Sequence, residues 1–433
     1  SLFRTKADEA YQIGKGKGPV EAYLNIEEII HVAKSKGVDA IHPGYGFLAE
    51  NSEFSRQCEE AGIAFIGPTH DMIDRLGDKV QSKHVAREAG VPTIPGGDSV
   101  IRSEEEAVRF AREAGYPVMI KAAAGGGGRG MRLVESEENL LSSFHSAQNE
   151  AGKAFGDDGI FIEKYLEKPK HIEVQILGDN FGNIVHLYER DCSIQRRYQK
   201  VVEYAPAICL TDAQREQICA DALKIARSVN YRSAGTVEFL MDASGQHYFI
   251  EMNPRIQVEH TVTEIVTGID IVQTQLWLAQ GYALDAPEVN LKQEDIRVSG
   301  YAIQCRVTTE DPNNHFAPDT GKIEVYRTGS GFGVRLDAGT GFTGAVISPY
   351  YDSLLVKVTA FSRSFDDAIR KAIRSLRETR IEGVKTNIGF LINVLNHETF
   401  RTGNTDTGFI SMHPELFQIE PKDDTELRLL RFI

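Results

Sequence analysis

Two carboxylates that a hairpin would bring face to face are the first candidates for chemistry. Strand-like segments flank a turn at residues 243–246, which reads Ala-Ser-Gly-Gln. If Asp242 pairs with His247, the register places Glu238 directly opposite Glu251, and such paired residues lie about 4.5–5.5 Å apart at Cβ. Like charges in this position destabilise a sheet. The alternative is a register one residue away, with both acids in solvent.

A bound cation would remove the repulsion between the two opposed carboxylates. In this register Asn253 shares the face of Glu238 and Glu251, and the set offers oxygen ligands without His or Cys. Oxygen ligands of this kind favour Mg²⁺, or Mn²⁺ in its place. The hairpin therefore predicts a metal site formed by Glu238, Glu251 and Asn253.

The segment 253–260 continues from this hairpin and alternates polar with apolar residues. Pro254 favours extended backbone before it, and a period of two sends alternate side chains to opposite faces. One face is expected to carry Asn253, Arg255, Gln257 and Glu259, and the other Ile256 and Val258. On the polar face, Arg255 is suited to hold a small oxyanion, and Glu259 is suited to act as a base beside it. The alternative is an exposed strand with ordinary polar alternation.

A glycine run at residues 125–130 predicts a phosphate-binding flap. The strand predicted at 131–134 makes the run a hairpin tip, whereas a dinucleotide fingerprint needs a helix there and a P-loop needs Lys-Ser or Lys-Thr. Bare amides at such a tip can close over phosphates, and Lys121 and Arg129 add a cation on each side. The alternative is a flexible loop tip. The basic run 196–200 adds positive charge if it lies near the site, and otherwise it forms a solvated face.

Helices alternating with short strands in the first part of the chain predict a parallel α/β sheet. The first strands of such a lobe are missing, so the chain is expected to start inside the fold. Pro92 and Pro95 mark a linker, and a capping box from Ser103 to Glu106 predicts the first helix of a second lobe. The predicted divisions are an N-terminal lobe with a linker helix at 1–95, a lid lobe at 96–165, a third lobe at 166–410 and a tail at 411–433.

The composition excludes several classes of protein. With 433 residues, of which 41% are hydrophobic and 25% charged, the chain resembles a globular protein of two or three lobes. A formal charge of −14 argues against a broad nucleic-acid surface, and no apolar run reaches the roughly 18–20 residues that cross a membrane. Cysteines without a CxxC pair predict free thiols in a reducing compartment, and we expect a cytoplasmic protein.

Taken together, these segments resemble the biotin carboxylases of the ATP-grasp superfamily, in particular the biotin carboxylase component of pyruvate carboxylase. The stretch 347–357 and the end at 409–417 resemble that component more than the corresponding part of acetyl-CoA carboxylase. The resemblance extends from about residue 10 to about residue 418. The segments that carry it are 42–48 (HPGYGFL), Lys121 with 125–131, 163–166 (EKYL), 189–197 (ERDCSIQRR) and 251–260.

The resemblance implies a fold, a reaction and partners. The fold is an ATP-grasp fold of the α/β (α+β) class, with a truncated N-terminal parallel α/β lobe, a mobile central lid lobe and a large C-terminal lobe around a mixed sheet. The reaction is the ATP- and Mg-dependent carboxylation of biotin with bicarbonate through carboxyphosphate. Carrier and carboxyltransferase regions are absent from the chain, so biotin on its carrier domain and the carboxyltransferase are expected as outside partners, with a second copy in a homodimer.

The resemblance also implies which residues contact ATP. Lys79 and Lys121 would bind the phosphates, and Gly127 and Gly128 would lie in the closing flap. The residues expected around the adenine and the ribose are Glu163, Lys164, Tyr165, Leu166, His171, Gln195, Tyr198 and Leu240. Tyr198 departs from the family, many of whose members carry His there, so no imidazole contact to the nucleotide is expected at this position.

For bicarbonate and biotin the resemblance implies a second group of residues. The members of this group are Lys200, Arg255, Gln257, the Val258 amide, Glu259, Arg335 and Tyr45. Glu259 would deprotonate bicarbonate for attack on the γ-phosphate, which gives carboxyphosphate. Its breakdown would release CO₂ beside a phosphate that takes the ureido proton of biotin, and Arg335 would stabilise the resulting enolate.

Three other functions remain open from the sequence. The biotin carboxylase subunit of acetyl-CoA carboxylase is the first, and a bicarbonate-using carbamoyl phosphate synthetase is the second. The third is a nucleotide-binding regulatory domain without catalysis. The intact set of Glu238, Glu251, Arg255 and Glu259 argues against the last, because inactive relatives usually lose a member of such a set.

Overall fold

The structure, a computed structural model, describes residues 2–96, 99–123 and 131–419. Within these ranges no helix combines the length and the hydrophobicity that crossing a lipid bilayer requires. The helices are α1 Pro19–Tyr23, α2 Ile26–Lys36, α3 Ser52–Glu60, α4 His70–Gly77, α5 Lys79–Glu88, α6 Glu104–Ala114, α7 Leu140–Phe155, α8 Asp212–Ser228, α9 His260–Thr267, α10 Ile271–Ala279, α11 Phe365–Glu378, α12 Ile388–Asn396, α13 Glu398–Arg401 and α14 Phe409–Met412.

Short 3₁₀ turns accompany the helices, and the strands are short except in the centre of the chain. The turns lie at Leu2–Thr5, Phe47–Glu50, Glu137–Asn139, Gln293–Asp295, Pro312–Asn314 and Pro414–Phe417. The strands are β1 Ala40–Ile41, β2 Ala64–Phe65, β3 Val118–Ala122, β4 Arg132–Val134, β5 Ile160–Lys164, β6 Lys170–Gly178, β7 Ile184–Arg196, β8 Gln199–Ala205, β9 Ser233–Met241, β10 His247–Asn253, β11 Tyr301–Thr308, β12 Glu310–Asp311, β13 Ala317–Pro318, β14 Gly321–Lys322, β15 Val325–Arg327, β16 Val334–Ala338, β17 Val346–Ile347, β18 Leu354–Ser362 and β19 Arg380–Glu382.

An eight-stranded sheet forms the centre of the molecule. Its strand order is β10-β9-β6-β7-β8-β11-β18-β16, and each neighbouring pair of strands is antiparallel. Thr93 of the predicted linker forms a parallel bridge to Phe249 on the edge strand β10. The sheet of the C-terminal lobe thus has antiparallel ladders throughout, and this isolated bridge adds a parallel contact at one edge.

The two faces of this sheet have different surroundings. On β9, Val237 and Phe239 are fully buried in a core with α5 and α8. Glu238 and Leu240 point the other way and line a cavity, because successive side chains of a strand alternate between faces. One face of the sheet is thus a packed core, and the other is available for ligands.

The turn between β9 and β10 differs from the prediction by one residue. His247 pairs with Met241, and Asp242 belongs to the turn rather than to the ladder. A regular ladder with this register would not place Glu251 opposite Glu238. The observed pairing of these two glutamates therefore needs a second feature of the hairpin.

That feature is a β-bulge at Ile250. The ladder pairs Phe249 with Phe239 and then Glu251 with Glu238, so Ile250 is the extra residue on its strand. The predicted opposition of the two glutamates is confirmed, but the register comes from the bulge and not from the turn. Ile250 consequently joins Glu251 on the lining of the cavity.

The extended strand predicted beyond Asn253 is wrong. The Arg255 N–H donates to the Asn253 carbonyl at 2.8 Å, so the chain turns as soon as β10 ends. Pro254 favours this ending because it cannot donate to the ladder. The predicted alternation fails as well, since Val258 lines the cavity with its polar neighbours while Ile256 packs into a core beside α10.

A smaller lobe forms around the three-stranded sheet β4-β3-β5, which packs against α6 and α7. The predicted capping of α6 is half correct. Ser103 Oγ accepts from the Glu106 N–H at 3.3 Å, but the Glu106 carboxylate reaches the Arg102 N–H at 3.4 Å instead of that of Ser103. The lobe has its own apolar core, so it is held together independently of the central sheet.

In the first part of the chain, β1 and β2 form the predicted parallel pair, with Ala40 opposite Ala64 and Ile41 opposite Phe65. Two helices, α1 and α2, precede this pair. Asn25 lies between them and caps α2, since its side chain accepts from the Glu28 N–H at 3.4 Å.

The largest core supports β11 and β18 from the side opposite the cavity. Helices α11 and α12 supply much of it, with fully buried residues such as Leu376 and Phe390. The packing fixes the two strands whose other residues face the site.

Phe239 offers a test of the core behind the site. It is fully buried, and its ring lies 5.3 Å from that of His247 and 6.3 Å from that of Phe249. We expect Phe239→Ala to lower the free energy of unfolding by about 3–5 kcal/mol in urea denaturation, because it leaves a cavity in a packed core. Phe181→Ala, at a ring that is 66% exposed, should change it by less than about 0.5 kcal/mol. Equal effects of the two substitutions would contradict this account of the core.

Candidate functional site

One cavity of about 1670 Å³ lies between the smaller lobe and the open face of the central sheet. The predicted site residues that line it are Tyr45, Lys79, Lys121, Glu163, Lys164, Tyr165, Leu166, His171, Gln195, Tyr198, Lys200, Glu238, Leu240, Glu251, Asn253, Arg255, Gln257, Val258 and Glu259. Gly127 and Gly128 lie outside the described residues, and Arg335 is not on the lining. Segments that are far apart in sequence thus meet in one place.

The opposed carboxylates have an amide between them. Asn253 Nδ2 donates to Glu238 Oε1 at 2.7 Å and lies 3.4 Å from Glu251 Oε1. The positive end of the amide dipole therefore occupies a position where a cation would neutralise both acids. Two carboxylates and an amide oxygen within reach of one another form a donor set that suits Mg²⁺ or Mn²⁺.

Glu238 and Glu251 differ in their electrostatics. Burial disfavours the charged form of Glu238, but the charges of Lys200 and His171 hold its pKa well below its usual range. Burial, and then the charge of Glu238, raises the pKa of Glu251. The protein therefore already compensates one of the two acids, whereas the other lacks a close cation of comparable effect.

Lys200 bridges three buried carboxylates. Its Nζ donates to Glu238 Oε1 at 3.0 Å and to Glu259 Oε1 at 2.8 Å, and it forms an ion pair with Glu173. Burial alone would lower the pKa of Lys200, but these three charges raise it well above its usual value. Lys200 is therefore a permanent cation on the lining of the cavity.

Glu259 is held between two cations. Lys200 contacts its Oε1, and Arg306 Nη2 donates to its Oε2 at 2.9 Å. Burial opposes its ionisation, but the charges of Lys200 and Arg306 lower the pKa of Glu259 to about 2. The carboxylate is therefore ionised and fixed in direction, so that it can accept a proton from a bound acid.

The orientation of the Gln257 amide is set by Arg190, which is fully buried. Arg190 Nη2 donates to Gln257 Oε1 at 2.6 Å, and the Gln257 amide nitrogen donates to Glu238 Oε1 at 2.7 Å. All five donors of the guanidinium have an acceptor; the others are Glu173, Gln175, Thr236 and Thr263. Gln257 consequently presents an N–H, and not a carbonyl, toward the site.

His171 connects the carboxylate pair with the opposite part of the cavity. Its Nε2 lies 2.8 Å from Glu238 Oε2, and its Nδ1 lies 2.7 Å from Gln195 Nε2. Burial works against the charged imidazole, but Glu238 and Glu173 raise the pKa of His171 to about 9. His171 and Gln195 are thus brought together as the sequence predicts.

Glu163 of the smaller lobe lies within a cluster of lysines, of which Lys121 is on β3 and Lys79 and Lys83 are on α5. Lys121 Nζ lies 2.5 Å from Glu163 Oε2, and Lys83 pairs with the other oxygen. Burial, and then the charge of Lys79, lowers the pKa of Lys121 to about 8. The Lys164 side chain, by contrast, donates to the main-chain carbonyls of residues 115 and 116, so it leaves only its main chain for a ligand.

Arg255 retains donors for a small anion. Its Nη2 lies 3.2 Å from Asn253 Oδ1 and its Nη1 lies 3.3 Å from the Ile256 carbonyl. Its Nε lies 3.0 Å from Glu50 Oε1 but makes no hydrogen bond within the described part of the chain. The ion pair with Glu50 therefore occupies Nε, while each terminal nitrogen makes a single hydrogen bond to described residues and has a second N–H. A half-buried guanidinium of this kind on the cavity lining suits a planar oxyanion.

Arg335 stands apart from these residues. It forms a bidentate pair with Asp337, at 2.9 and 2.8 Å, and donates to Glu264 Oε2 at 2.6 Å. Asp337 lines a second cavity of about 260 Å³, and Tyr45 lines both cavities. The resemblance assigns Arg335 to the biotin enolate, and the structure places it one ion pair away from the two cavities rather than on their lining.

Five residues of the site lie outside the sequence prediction: Lys83, Glu173, Arg190, Ile250 and Arg306. Charged residues within otherwise apolar strands were the available signal for Glu173, Arg190 and Arg306, because a buried charge requires a partner. Ile250 gave no signal, since its position depends on the bulge.

Comparison with known proteins gives three matches to protein families along the chain. Residues 1–73 match the biotin carboxylase N-terminal domain, and residues 304–412 match the biotin carboxylase C-terminal domain. Residues 78–287 match the ATP binding domain of the carbamoyl-phosphate synthase L chain.

Two relatives are similar over the entire chain. The pyruvate carboxylase of Bacillus subtilis (strain 168) is 56% identical over 434 residues, which cover 100% of this chain and 38% of that protein. The mitochondrial pyruvate carboxylase of Homo sapiens is 55% identical over 432 residues, with 100% and 36% covered. The chain therefore spans less than two fifths of the length of these relatives.

Two solved structures are similar in fold. The biotin carboxylase domain dimer of Hydrogenobacter thermophilus 2-oxoglutarate carboxylase, in complex with MgADP, ADP and bicarbonate, has a TM-score of 0.92 at 50% identity, with 96% of this chain and 90% of that chain covered. A variant of Rhizobium etli pyruvate carboxylase with the allosteric activator acetyl coenzyme A has a TM-score of 0.93 at 52% identity, with 100% and 39% covered.

The carboxylate of Glu264 provides a pH-dependent test of the ion pairs beside the site. Burial opposes its ionisation, but His260 and Arg335 lower the pKa of Glu264 to about 2. A lowered pKa in the folded state gives stability that is complete above the unfolded value of about 4.3 and disappears as the pH falls toward the folded value.

We expect Glu264→Gln to lower the free energy of unfolding by on the order of 3 kcal/mol at pH 7. The difference from the unsubstituted protein should shrink between about pH 4.3 and pH 2 in denaturant titrations. Glu138→Gln, at an exposed glutamate, serves as the control and should show no such trend. A difference that is constant down to pH 3 would contradict the assigned ion pairs.

Proposed function

The chain belongs to the biotin carboxylase family, whose reaction is the ATP-dependent carboxylation of biotin, and we propose that it performs the first half-reaction of a pyruvate carboxylase. In that half-reaction Mg-ATP activates bicarbonate, and the carboxyl group passes to biotin on a carrier domain outside this chain. The observation that carries the proposal is the ionised Glu259, held between Lys200 and Arg306 beside the opposed pair Glu238 and Glu251.

The nucleotide would occupy the side of the cavity next to the smaller lobe. Lys79 and Lys121 are the cations for its phosphates, and Lys121 would exchange its contact with Glu163 for a phosphate oxygen. Leu166, Leu240 and Ile250 offer apolar surface for the adenine. The proposal assigns the remaining contacts, at the adenine and the ribose, to Glu163, Lys164, Tyr165, His171, Gln195 and Tyr198, and the closing flap to Gly127 and Gly128.

The donor set of the hairpin fits a divalent cation. Glu238, Glu251 and Asn253 are the residues that would hold Mg²⁺ or Mn²⁺, which when bound offsets the negative charge of the phosphates. Asn253 would turn its amide oxygen to the cation and give up its hydrogen bond to Glu238. The repulsion between the two opposed carboxylates supports this assignment.

Bicarbonate would bind on the other side of the same carboxylates. Arg255 offers the N–H groups of its two terminal nitrogens, each of which makes a single hydrogen bond to described residues, and Lys200 offers a fixed positive charge. The N–H groups of Gln257 and Val258 complete the set, since Arg190 fixes the amide of Gln257 with its nitrogen toward the site. All these groups donate hydrogen bonds, as an anion requires.

Glu259 is the proposed base. It takes the proton of bicarbonate, whose oxygen then attacks the γ-phosphorus, so that ADP leaves and carboxyphosphate forms. Carboxyphosphate breaks into CO₂ and phosphate, and the phosphate takes the N–H proton of the biotin ureido group. The deprotonated ureido nitrogen then attacks CO₂. Exclusion of water by the lobe over the cavity protects carboxyphosphate from hydrolysis.

Biotin would enter beside Tyr45, which lines both cavities. Arg335 is proposed to stabilise the negative charge that develops on the ureido oxygen. To do so it must exchange part of its pairing with Asp337 or Glu264 for biotin. The carrier domain and the carboxyltransferase are therefore proposed as partners in the same full-length protein.

A homodimer through this chain is also part of the proposal, and the dimer of the Hydrogenobacter thermophilus domain supports it. A cytoplasmic location is proposed as well. It does not follow from family membership, because the human relative is a mitochondrial protein by its name.

A second acceptor is compatible with the same site. The biotin carboxylase domain of a 2-oxoglutarate carboxylase is 50% identical and covers 96% of this chain, so a 2-oxo acid other than pyruvate is the alternative. Similarity to pyruvate carboxylases over the entire chain favours them over acetyl-CoA carboxylase. The acceptor is bound by the part of the enzyme outside this chain, so the half-reaction is the same in each case.

Bicarbonate-dependent release of ADP, stimulated by free biotin, tests the proposed function. We expect Glu259→Gln to reduce this rate by about 10²–10⁴-fold, since it removes the base, while Glu138→Gln leaves it unchanged. Turnover that ignores biotin but responds to ammonia or glutamine would favour a carbamoyl phosphate synthetase. Binding of Mg-ATP without any bicarbonate-dependent turnover would favour a regulatory domain.

The opposed carboxylates give a second test, in which the two substitutions should change the melting temperature in different directions. Glu251→Gln removes one of two repelling charges and should leave the melting temperature without divalent cations unchanged or higher. Glu238→Gln should lower it, because Glu238 accepts hydrogen bonds from four side chains: Lys200, His171, Asn253 and Gln257. Both substitutions should weaken Mg-dependent ATP turnover. A sharp fall in the melting temperature for Glu251→Gln would instead indicate a structural role.

A further inference from the structure

Lys357 is a buried lysine on the lining of the second cavity, and the mechanism above gives it no role. It lies on β18 with 5% of its surface exposed, and its Nζ donates to the Val258 carbonyl at 3.0 Å. His260 Nε2 is 3.4 Å away, and within the described part of the chain no carboxylate lies close enough to pair with it. An ammonium group buried without an ion pair is costly, so its contact with a main-chain carbonyl calls for a functional reason.

Lys357 and Arg306 are opposite each other on β18 and β11. Both project from one face of the sheet toward the same short segment of chain. Arg306 contacts the carboxylate of Glu259, and Lys357 contacts the carbonyl of the residue before it. Two cations from adjacent strands therefore hold the side chain and the main chain of one site.

The next pair on the same face continues this arrangement. Thr359 is opposite Gln304, and both contact the hydroxyl of Thr261, Thr359 through its Oγ1 at 2.8 Å. Four side chains on one face of β11 and β18 thus hold residues 258–261. Because the largest core of the protein packs behind these strands, the segment is fixed to a rigid base.

The carbonyl that Lys357 holds belongs to the peptide joining Val258 to Glu259. A peptide group is planar, so a fixed carbonyl also fixes the Glu259 N–H and the direction in which the Glu259 side chain leaves the main chain. The Val258 N–H has no acceptor among the described residues, and Val258 lines the cavity. This N–H belongs to the preceding peptide, so Lys357 restrains it only through the torsions of Val258, whereas it fixes the start of the Glu259 main chain directly.

We infer that Lys357 is a positioning residue for bicarbonate. It holds the Val258 carbonyl, and thereby the main chain from which the Val258 N–H on one side and the Glu259 carboxylate on the other face the same anion. The inference rests on the proposed function. Lys357 does not touch bicarbonate; it acts through the main chain. Its removal should therefore affect the bicarbonate step and leave the nucleotide end of the cavity unchanged.

Lys357→Met tests the inference, because methionine keeps much of the volume and lacks the charge and the donor. We expect KM for bicarbonate to rise about 10-fold or more, KM for ATP to stay within about twofold, and the melting temperature to stay the same or rise, since a buried unpaired charge is removed. Lys371→Met is the matched control. Its Nζ also donates to a carbonyl of β18, that of Phe361 at 3.0 Å, but far from the cavity, and neither KM should change.

Amide hydrogen exchange gives a readout that does not need turnover. In Lys357→Met the hydrogen-bonded amides of His260 and Val262, whose acceptors are the carbonyls of Gln257 and Glu259, should exchange at least about 10-fold faster than in the unsubstituted protein, while those of β9 keep their rates. Unchanged exchange at His260 and Val262, or KM values for bicarbonate and ATP that rise together, would overturn the inference. An unsubstituted protein without biotin-stimulated turnover would refute the proposed function instead, and the exchange rates would still decide whether Lys357 positions the segment.

Discussion

The ammonium group of Lys200 lies between three buried carboxylates, and the rest of the site depends on this contact. Without it, Glu173, Glu238 and Glu259 would repel one another in a region that excludes water, where charges interact strongly. With it, the acids are held at fixed separations and remain ionised. Arg190 and Arg306 add a second layer of positive charge behind them, so that hydrogen bonds, and not solvent, set the direction of each carboxylate.

A site of this kind exposes its donors to substrate because its acceptors are already used. The five donors of Arg190 are satisfied within the protein, whereas the terminal nitrogens of Arg255 on the cavity lining each make a single hydrogen bond to described residues. A similar difference separates Glu238, whose pKa is lowered by nearby cations, from Glu251, whose pKa is raised because burial and the charge of Glu238 outweigh the cations. Polar groups whose hydrogen bonds are all made within the protein fix the geometry of the site. Groups with donors or acceptors to spare remain for ligands, so the hydrogen bonds alone distinguish the supporting residues from the residues that contact ligands.

Sequence reasoning found the opposed glutamates because strand alternation and a turn are local patterns. The contributions of Arg306 and Lys357 could not be found in this way, since both lie on strands that are about 50 to 100 residues away in sequence from the segment they hold, and only the order of strands in the sheet brings them there. The extended strand beyond Asn253 failed for a related reason, because a polar alternation does not reveal a turn followed by a helix. The nucleotide contacts were predicted from the resemblance to a family, whereas the opposed glutamates were predicted from the pattern of the strands.

The bulge at Ile250 separates two properties of the hairpin that are linked in a regular ladder: which side chains face the cavity, and which residues pair across the two strands. In the observed ladder Phe249 pairs with Phe239 and Glu251 with Glu238, so the bulge accommodates Ile250 on the cavity lining while the two glutamates stay opposed. Removal of that one residue would give an unbroken ladder in which the same two glutamates still pair. A single insertion or deletion at this position can therefore change the apolar lining of the cavity and leave the spacing of the two acids as it is. In chains of this architecture the two properties can vary independently.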